Sequence, residues 1–330
     1  MSNQNKVSSS FFFAGHFAID NIIRFKHLHN ATLGGSVCYS SLALRTYTKN
    51  ANIYIISHIG RKNFKNSLLD AIKNKDIDLR GIKYSNVENT NFILEYFDHN
   101  RTLTLKSRSP DLEFQDIPQE YINNPPDIIV FVPLCNEISY EYILQTSKKF
   151  PFACIGIDLQ GFIRNIDING KVSYINNEET IINLNKIIDL IGDRLILKGS
   201  EEEMKLLANE YNDLEKVMKY FDKYDINGIF IMTLGEKGSM IYKKGNPIIK
   251  IPAFKPTKVS DETGAGDVYF SIFLYEYSHS DKSWESIKKV ALLSSASVSF
   301  LVEKKGPLGF VTKKKVLKRL GKKDYIKLNR

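Results

Sequence analysis

Short apolar runs, each closed by glycine or a polar residue, mark the chain at 11–15, 52–59, 127–133, 153–157, 195–198 and 228–233. Their length and their β-branched and aromatic content predict strands buried on both faces. Segments of helical period lie between and after them, at 37–44, 66–75, 138–149, 268–274 and 290–301. Strand and helix in alternation predict an α/β fold of three layers, α/β/α, around a mostly parallel central sheet. Two stretches depart from this rhythm. Residues 22–33 alternate loosely, and 91–106 alternate around the polar turn Asp98-His99-Asn100-Arg101. That pattern predicts a hairpin and a small β layer, built from 16–33 and 90–108 and inserted in a single domain over 1–330. Residues 1–9 are polar and predicted to be disordered at the tip.

Composition narrows the class without choosing a function. A chain of 330 residues can bury a sizeable core. With 43% hydrophobic and 25% charged residues it reads as an ordinary soluble globular protein, and no apolar run is long enough to span a bilayer. The run Phe11-Phe12-Phe13 is cut off by His16 and Asp20, which makes it a strand rather than a signal peptide. Cys38, Cys135 and Cys154 are widely spaced and lack metal-ligand spacing, so a reducing, cytoplasmic location is expected. The net charge of +9 invites a nucleic-acid reading, but it is concentrated in the tail 313–330, which holds nine Lys/Arg and one Asp. A basic helix of this kind is expected to be a solvated face; neither nucleic acid nor membrane is expected as a partner.

Chemistry concentrates at Asp261-Glu262-Thr263-Gly264-Ala265-Gly266-Asp267, which opens an apolar run. This order reads as a loop entering a buried helix. Glycines there let the backbone approach a ligand, and the amides and dipole of a helix N-terminus attract an anion. Asp267 falls in the first turn, where the dipole is expected to keep its carboxylate ionised. An anion cradle beside a fixed carboxylate points to phosphoryl transfer to a hydroxyl. Neither a P-loop nor a dinucleotide-binding glycine motif occurs between a strand and a helix elsewhere, so the cradle must be this late one.

The stretch resembles the signature of the ribokinase-like (PfkB) carbohydrate kinases, Asp-Thr-x-Gly-Ala-Gly-Asp, with Glu262 in a tolerated slot. The resemblance covers roughly 11–310 and implies an ATP-dependent kinase using Mg²⁺. By that resemblance Asp267 would be the base and Gly264, Ala265 and Gly266 the anion hole. Asp20, five residues past Gly15, would hold substrate hydroxyls; Gly34 and Gly35 would either pack against the substrate or simply open a helix. Ala18 stands where ribokinases proper have Asn, which argues against ribose. The loop after Gly60 lacks the usual Asp and second Gly. The β layer would be a lid, through which relatives also form homodimers. Asp158-Leu-Gln160-Gly-Phe-Ile-Arg164 is similar to the myo-inositol 3-kinase branch of plants and archaea, which would make Gln160 and Arg164 substrate contacts. Gly199-Ser200-Glu201-Glu202-Glu203 takes the place of an Asn-x-x-Glu motif, with Ser200 for Asn. Glu203 would then organise Mg²⁺ through water. Lys198, Ser200, Thr233, Gly235, Gly238 and Thr263 would face the nucleotide, and 290–301 would wall the adenine. The expected acceptor is myo-inositol; another sugar, a ketodeoxy sugar acid or a nucleoside is the alternative. A non-catalytic sugar- or nucleotide-binding protein is the reading of a different class, supported by the 60–65 loop and Ser200.

Overall fold

Phe11, Phe12 and Phe13 show how the sequence builds the core. All three are fully buried, yet successive side chains of a strand point to opposite faces. Phe11 and Phe13 join the apolar cluster on one face of the sheet, and Phe12 joins the cluster on the other. A strand that is apolar on both sides must lie inside a three-layer fold, and it does. The protein's structure, a computed structural model, describes residues 8–24, 27–28, 31–97, 100–175 and 177–327. Of the expected disorder over 1–9, residues 1–7 lie outside the described residues, as does the tip of the turn at 98–99, while Ser9 already begins a strand.

Among the described residues the main sheet has nine strands. Ser9–Ala14 lies third from one edge, parallel to Ala51–Gly60 on one side and to Ile128–Phe131 on the other. Cys154–Asp158, Leu195–Ser200 and Ile229–Thr233 continue the parallel run. Ser239–Tyr242 and Ile249–Ile251 add an antiparallel edge. Helices Ser36–Tyr47, Ala265–Ser278 and Trp284–Leu301 cover one face. Tyr140–Lys149 and Glu178–Ile191 cover the other. This is the expected three-layer α/β/α arrangement around a mostly parallel sheet.

A second, five-stranded sheet is built from 18–34 and 91–107. Ala18–Arg24 is its hub, parallel to Asn91–Phe97 and antiparallel to Thr32–Gly34. Phe92 and Leu94 pack beneath it on Leu134 and Cys135. It stands at the edge where Ser9–Ala14, Cys154–Asp158 and Leu195–Ser200 reach their C-terminal ends, the side on which open α/β sheets bind ligands.

Two expectations change, and one strand was not expected. Residues 66–75 form a 3₁₀ turn, Asn66–Leu69, and one short turn of α-helix, Asp70–Lys73. Leu69 and Ile72 are the only residues of these two turns that are buried, too few to anchor a longer helix. The polar-looking segment Asp78–Ser85 is the edge strand next to Ala51–Gly60. An edge strand has only one neighbour and tolerates charge, so it carried no strong apolar signal. The basic tail is a helix at Lys313–Lys322, but not a wholly solvated one, because Val316 is fully buried against Trp284–Leu301.

Candidate active site

The helix Ala265–Ser278 begins at a turn that only glycine can make. Gly264 has φ 81°, in the left-handed region, and a Cβ there would stand 2.0 Å from the Tyr39 ring. The turn is tied from behind. Asp261 accepts from the Thr263 amide at 3.1 Å and its hydroxyl at 2.8 Å. Ser260 donates to the Val302 carbonyl at 2.7 Å. Of the amides expected to receive an anion, that of Ala265 is turned inward to the Glu262 carbonyl at 3.1 Å. Among the described residues, those of Gly264 and Gly266 meet no acceptor of the chain. A Cβ at Gly266 would lie 2.6 Å from Lys198 Nζ, so an ammonium group rests against the same turn.

On one side of the turn is a cavity of about 200 Å³. Asp20, Gln160, Arg164, Lys198 and Asp267 give it polar walls; Phe92, Leu94 and Leu103 of the second sheet give it an apolar one. Asp20 is held over Gly34, where a Cβ would meet its Oδ2 at 1.9 Å. Gly35, at φ 95°, caps the helix Ser36–Tyr47. Gly35 thus opens the helix, and Gly34 lies against the Asp20 carboxylate. Gln160 sits in a 3₁₀ turn just past the strand end, its amide donating to Asp158 at 3.2 Å and its side chain to Ser36 at 3.5 Å. Arg164 donates to the Leu134 carbonyl at 2.9 Å.

On the other side is a larger cavity of about 760 Å³. Thr233, Gly235 and Gly238 line it from the hairpin joining Ile229–Thr233 to Ser239–Tyr242. Ser295, Val298 and Ser299 line it from the helix Trp284–Leu301. Glu262, Thr263, Ala265 and Gly266 belong to both cavities, so the glycine turn is their common wall.

Charge is packed tightly behind that wall. Lys198 and Asp158 form a 2.8 Å ion pair that is almost wholly buried. Burial opposes the Lys198 charge, but Asp158, Glu203 and Asp267 outweigh it and raise its pKa. Burial also raises Glu203 above the usual carboxylate range, with Lys198 pulling the other way. Asp267 differs from expectation. Burial, reinforced by the neighbouring Asp158 charge, pushes its pKa up to about 6, against the pull of Lys198, the Ser36 hydrogen bond and Arg164. The helix dipole does not hold it low, because desolvation is the larger effect. It remains mostly ionised at neutral pH and becomes a much better proton acceptor than a solvated aspartate. Glu203 and Ser200 form a capping box: the Glu203 amide donates to Ser200 Oγ at 3.2 Å, and the Ser200 amide to Glu203 Oε2 at 2.7 Å.

The structure thus brings Asp20, Gly35, Gln160, Arg164, Lys198 and the Gly264–Asp267 turn to one cavity, and Thr233, Gly235, Gly238 and Thr263 to the other. Ser36, Tyr39 and Asp158 were not singled out in the sequence as site residues. Ser36 follows the glycine pair and Asp158 ends a buried strand, so position alone could have found both. Nothing in the pattern marks Tyr39, which reads as one more apolar helix residue.

Comparisons with known proteins bear on the fold and on the kind of chain this resembles. The pfkB family carbohydrate kinase model matches residues 162–309. The nucleoside kinase of Methanocaldococcus jannaschii is 27% identical over 88% of this chain and 85% of its own length. Two solved structures share the fold. One is a pyrophosphate-dependent kinase in the ribokinase family, complexed with a pyrophosphate analog and myo-inositol. It has a TM-score of 0.72 and 18% identity, over 93% of this chain and 99% of that one. The other is the fructokinase of Vibrio cholerae with fructose, ADP and calcium ion bound. Its TM-score is 0.74 at 16% identity, over 96% of this chain and 100% of that one.

Proposed function

We propose, on the premise that the chain is a ribokinase-like phosphotransferase of the PfkB carbohydrate kinase family, that it phosphorylates a hydroxyl of a small polyol, myo-inositol first, with ATP as donor. One observation carries this reading: a glycine turn, whose Gly264 and Gly266 amides meet no acceptor among the described residues, separates a small polar cavity from a larger one. The small hollow takes the acceptor and the large one takes the nucleotide.

Size favours a single ring as acceptor. A hollow of about 200 Å³ lies below the ~300–1,000 Å³ of pockets that hold drug-sized ligands. A cyclic polyol fits, whereas a nucleoside adds a base to its sugar. The other cavity, at about 760 Å³, has room for a nucleoside and its phosphates. Asp20 accepts hydrogen bonds from a vicinal diol, and Gln160 and Arg164 donate to further hydroxyl oxygens. Phe92, Leu94 and Leu103 cover the ring's apolar face, so the five-stranded sheet acts as a lid that keeps water from competing for the phosphoryl group.

Asp267 takes the proton of the attacking hydroxyl. Gly264 and Gly266 donate to the transferring group, and the Lys198 ammonium beside them neutralises its developing charge. Mg²⁺ keeps several waters of its own and needs few protein ligands. By the family resemblance Glu203 would orient metal-bound water; one of its carboxylate oxygens caps its own helix. The metal would supply charge neutralisation on the donor phosphates.

The test is an acceptor screen with ATP and Mg²⁺, comparing myo-inositol, cytidine, adenosine, fructose 6-phosphate and ketodeoxygluconate. The reading expects myo-inositol to lead. A lead for cytidine or adenosine would move the acceptor to the class of the archaeal relative. Failure of every acceptor would remove the kinase reading.

A further inference from the structure

The basic tail folds back onto the donor side. Arg319, in the helix Lys313–Lys322, places its guanidinium 3.4 Å above the Phe300 ring. It donates to Ser299 at 2.9 Å and to Glu303 at 2.9 Å. The same Glu303 carboxylate accepts from the Thr257 amide at 2.7 Å and its hydroxyl at 2.6 Å. Arg319 is therefore tied through Glu303 to the loop that leads into the glycine turn.

Past that helix the chain becomes a strap. The Lys255 amide donates to the Asp324 carbonyl, and the Ile326 amide to the Ala253 carbonyl, each at 2.9 Å. The Tyr325 ring packs on Phe254 with centroids 4.8 Å apart. Ile326 is thereby set into the wall of the 760 Å³ cavity, with Phe254 and Val298 nearby.

We propose that this strap is a specificity element for the phosphate donor: Ile326 packs on the base of a nucleoside triphosphate, and Arg319 holds strap and loop in register with the glycine turn. The inference rests on the donor-site reading given above and adds to it the part of the chain that selects a nucleotide over a donor without a base. An inorganic polyphosphate can reach the glycine turn without touching Ile326. A nucleotide base, lying deeper in the cavity, loses an apolar contact when Ile326 is shortened.

Equilibrium titration of the full-length protein with Mg-ADP and with inorganic tripolyphosphate tests this in wild type, Ile326→Ala and Arg319→Met. Partial loss of an isoleucine contact corresponds to a roughly tenfold weaker ADP Kd. The strap account expects that loss in Ile326→Ala with unchanged tripolyphosphate binding, and in Arg319→Met a loss of ADP larger than any loss of tripolyphosphate. An unchanged ADP Kd in Ile326→Ala overturns it. So does an equal loss of both ligands, since that marks a distorted cavity rather than base recognition. If wild type binds neither ligand, the donor-site reading itself is wrong and the strap proposal goes with it.

Discussion

Asp267 sits where two demands on a carboxylate meet. It must be ionised to accept a proton and basic enough to hold one. Burial among Asp158, Lys198 and Ser36 sets it near pH 6. The pH profile of kcat/KM should therefore rise through about pH 6 as Asp267 loses its proton, falling roughly tenfold per unit below it. A kcat/KM limb centred near pH 4 would contradict a burial-raised Asp267, whereas a kcat limb displaced toward pH 4 would show burial relieved when ligands bind. Asp267→Asn should keep Mg-ADP affinity and lower kcat by about 10²–10⁴-fold. Near-normal turnover in that variant removes Asp267 as the base. The buried Lys198–Asp158 pair calls for a different measurement. Removing one partner leaves the other charge stranded, which costs about 3–5 kcal/mol in comparable cases. Urea unfolding of Lys198→Met should show a loss of that order, and adding Asp158→Asn should recover part of it. Full additivity of the two losses would mean that the charges do not depend on each other.

At the scale of elements, the decisive feature is how a helix starts. At Gly264 both the positive φ and the contact with Tyr39 exclude a side chain, so Gly264→Ala should lower stability as well as activity. At Gly266 an added Cβ would meet the Lys198 ammonium, which its buried pair with Asp158 holds in place. Gly266→Ala should therefore lose most of its turnover, because the methyl group fills the anion site, and lose stability only as far as that ion pair is disturbed. A fall in melting temperature as large as that of Gly264→Ala would contradict this division. The helix Glu201–Ala208 makes a related case. Its Ser200–Glu203 capping box reads in sequence as a nucleotide-side motif, and the structure shows a structural duty for the same residues. Local chemistry at a helix N-terminus is legible in sequence; whether it serves the helix or a ligand depends on which strand end it adjoins.

Across the whole molecule, the parts legible in the sequence were those set by short-range pattern. Buried strands such as 11–15 and 153–157 showed as apolar runs, and the glycine turn showed as a motif. The parts that were not legible depend on contacts distant in sequence. Asp158 and Lys198 meet only because their strands are neighbours in register. Tyr39 matters only because its helix passes the turn at 264. The tail looked solvated because its charge masked Val316 and Arg319, whose partners lie on the helix Trp284–Leu301 and on Glu303. The edge strand Asp78–Ser85 escaped notice because charge is tolerated at a sheet edge.

The central claim is that two hollows meet at one glycine turn, donor on one side and acceptor on the other. A crystal structure with Mg-ADP and myo-inositol tests it most directly. The account predicts the terminal phosphate against the amides of Gly264 and Gly266. It also predicts one inositol hydroxyl within ~2.6–3.2 Å of Asp267, in line with that phosphate. Phosphates bound away from the turn, or an inositol ring outside the cavity bounded by Asp20 and Arg164, would contradict it.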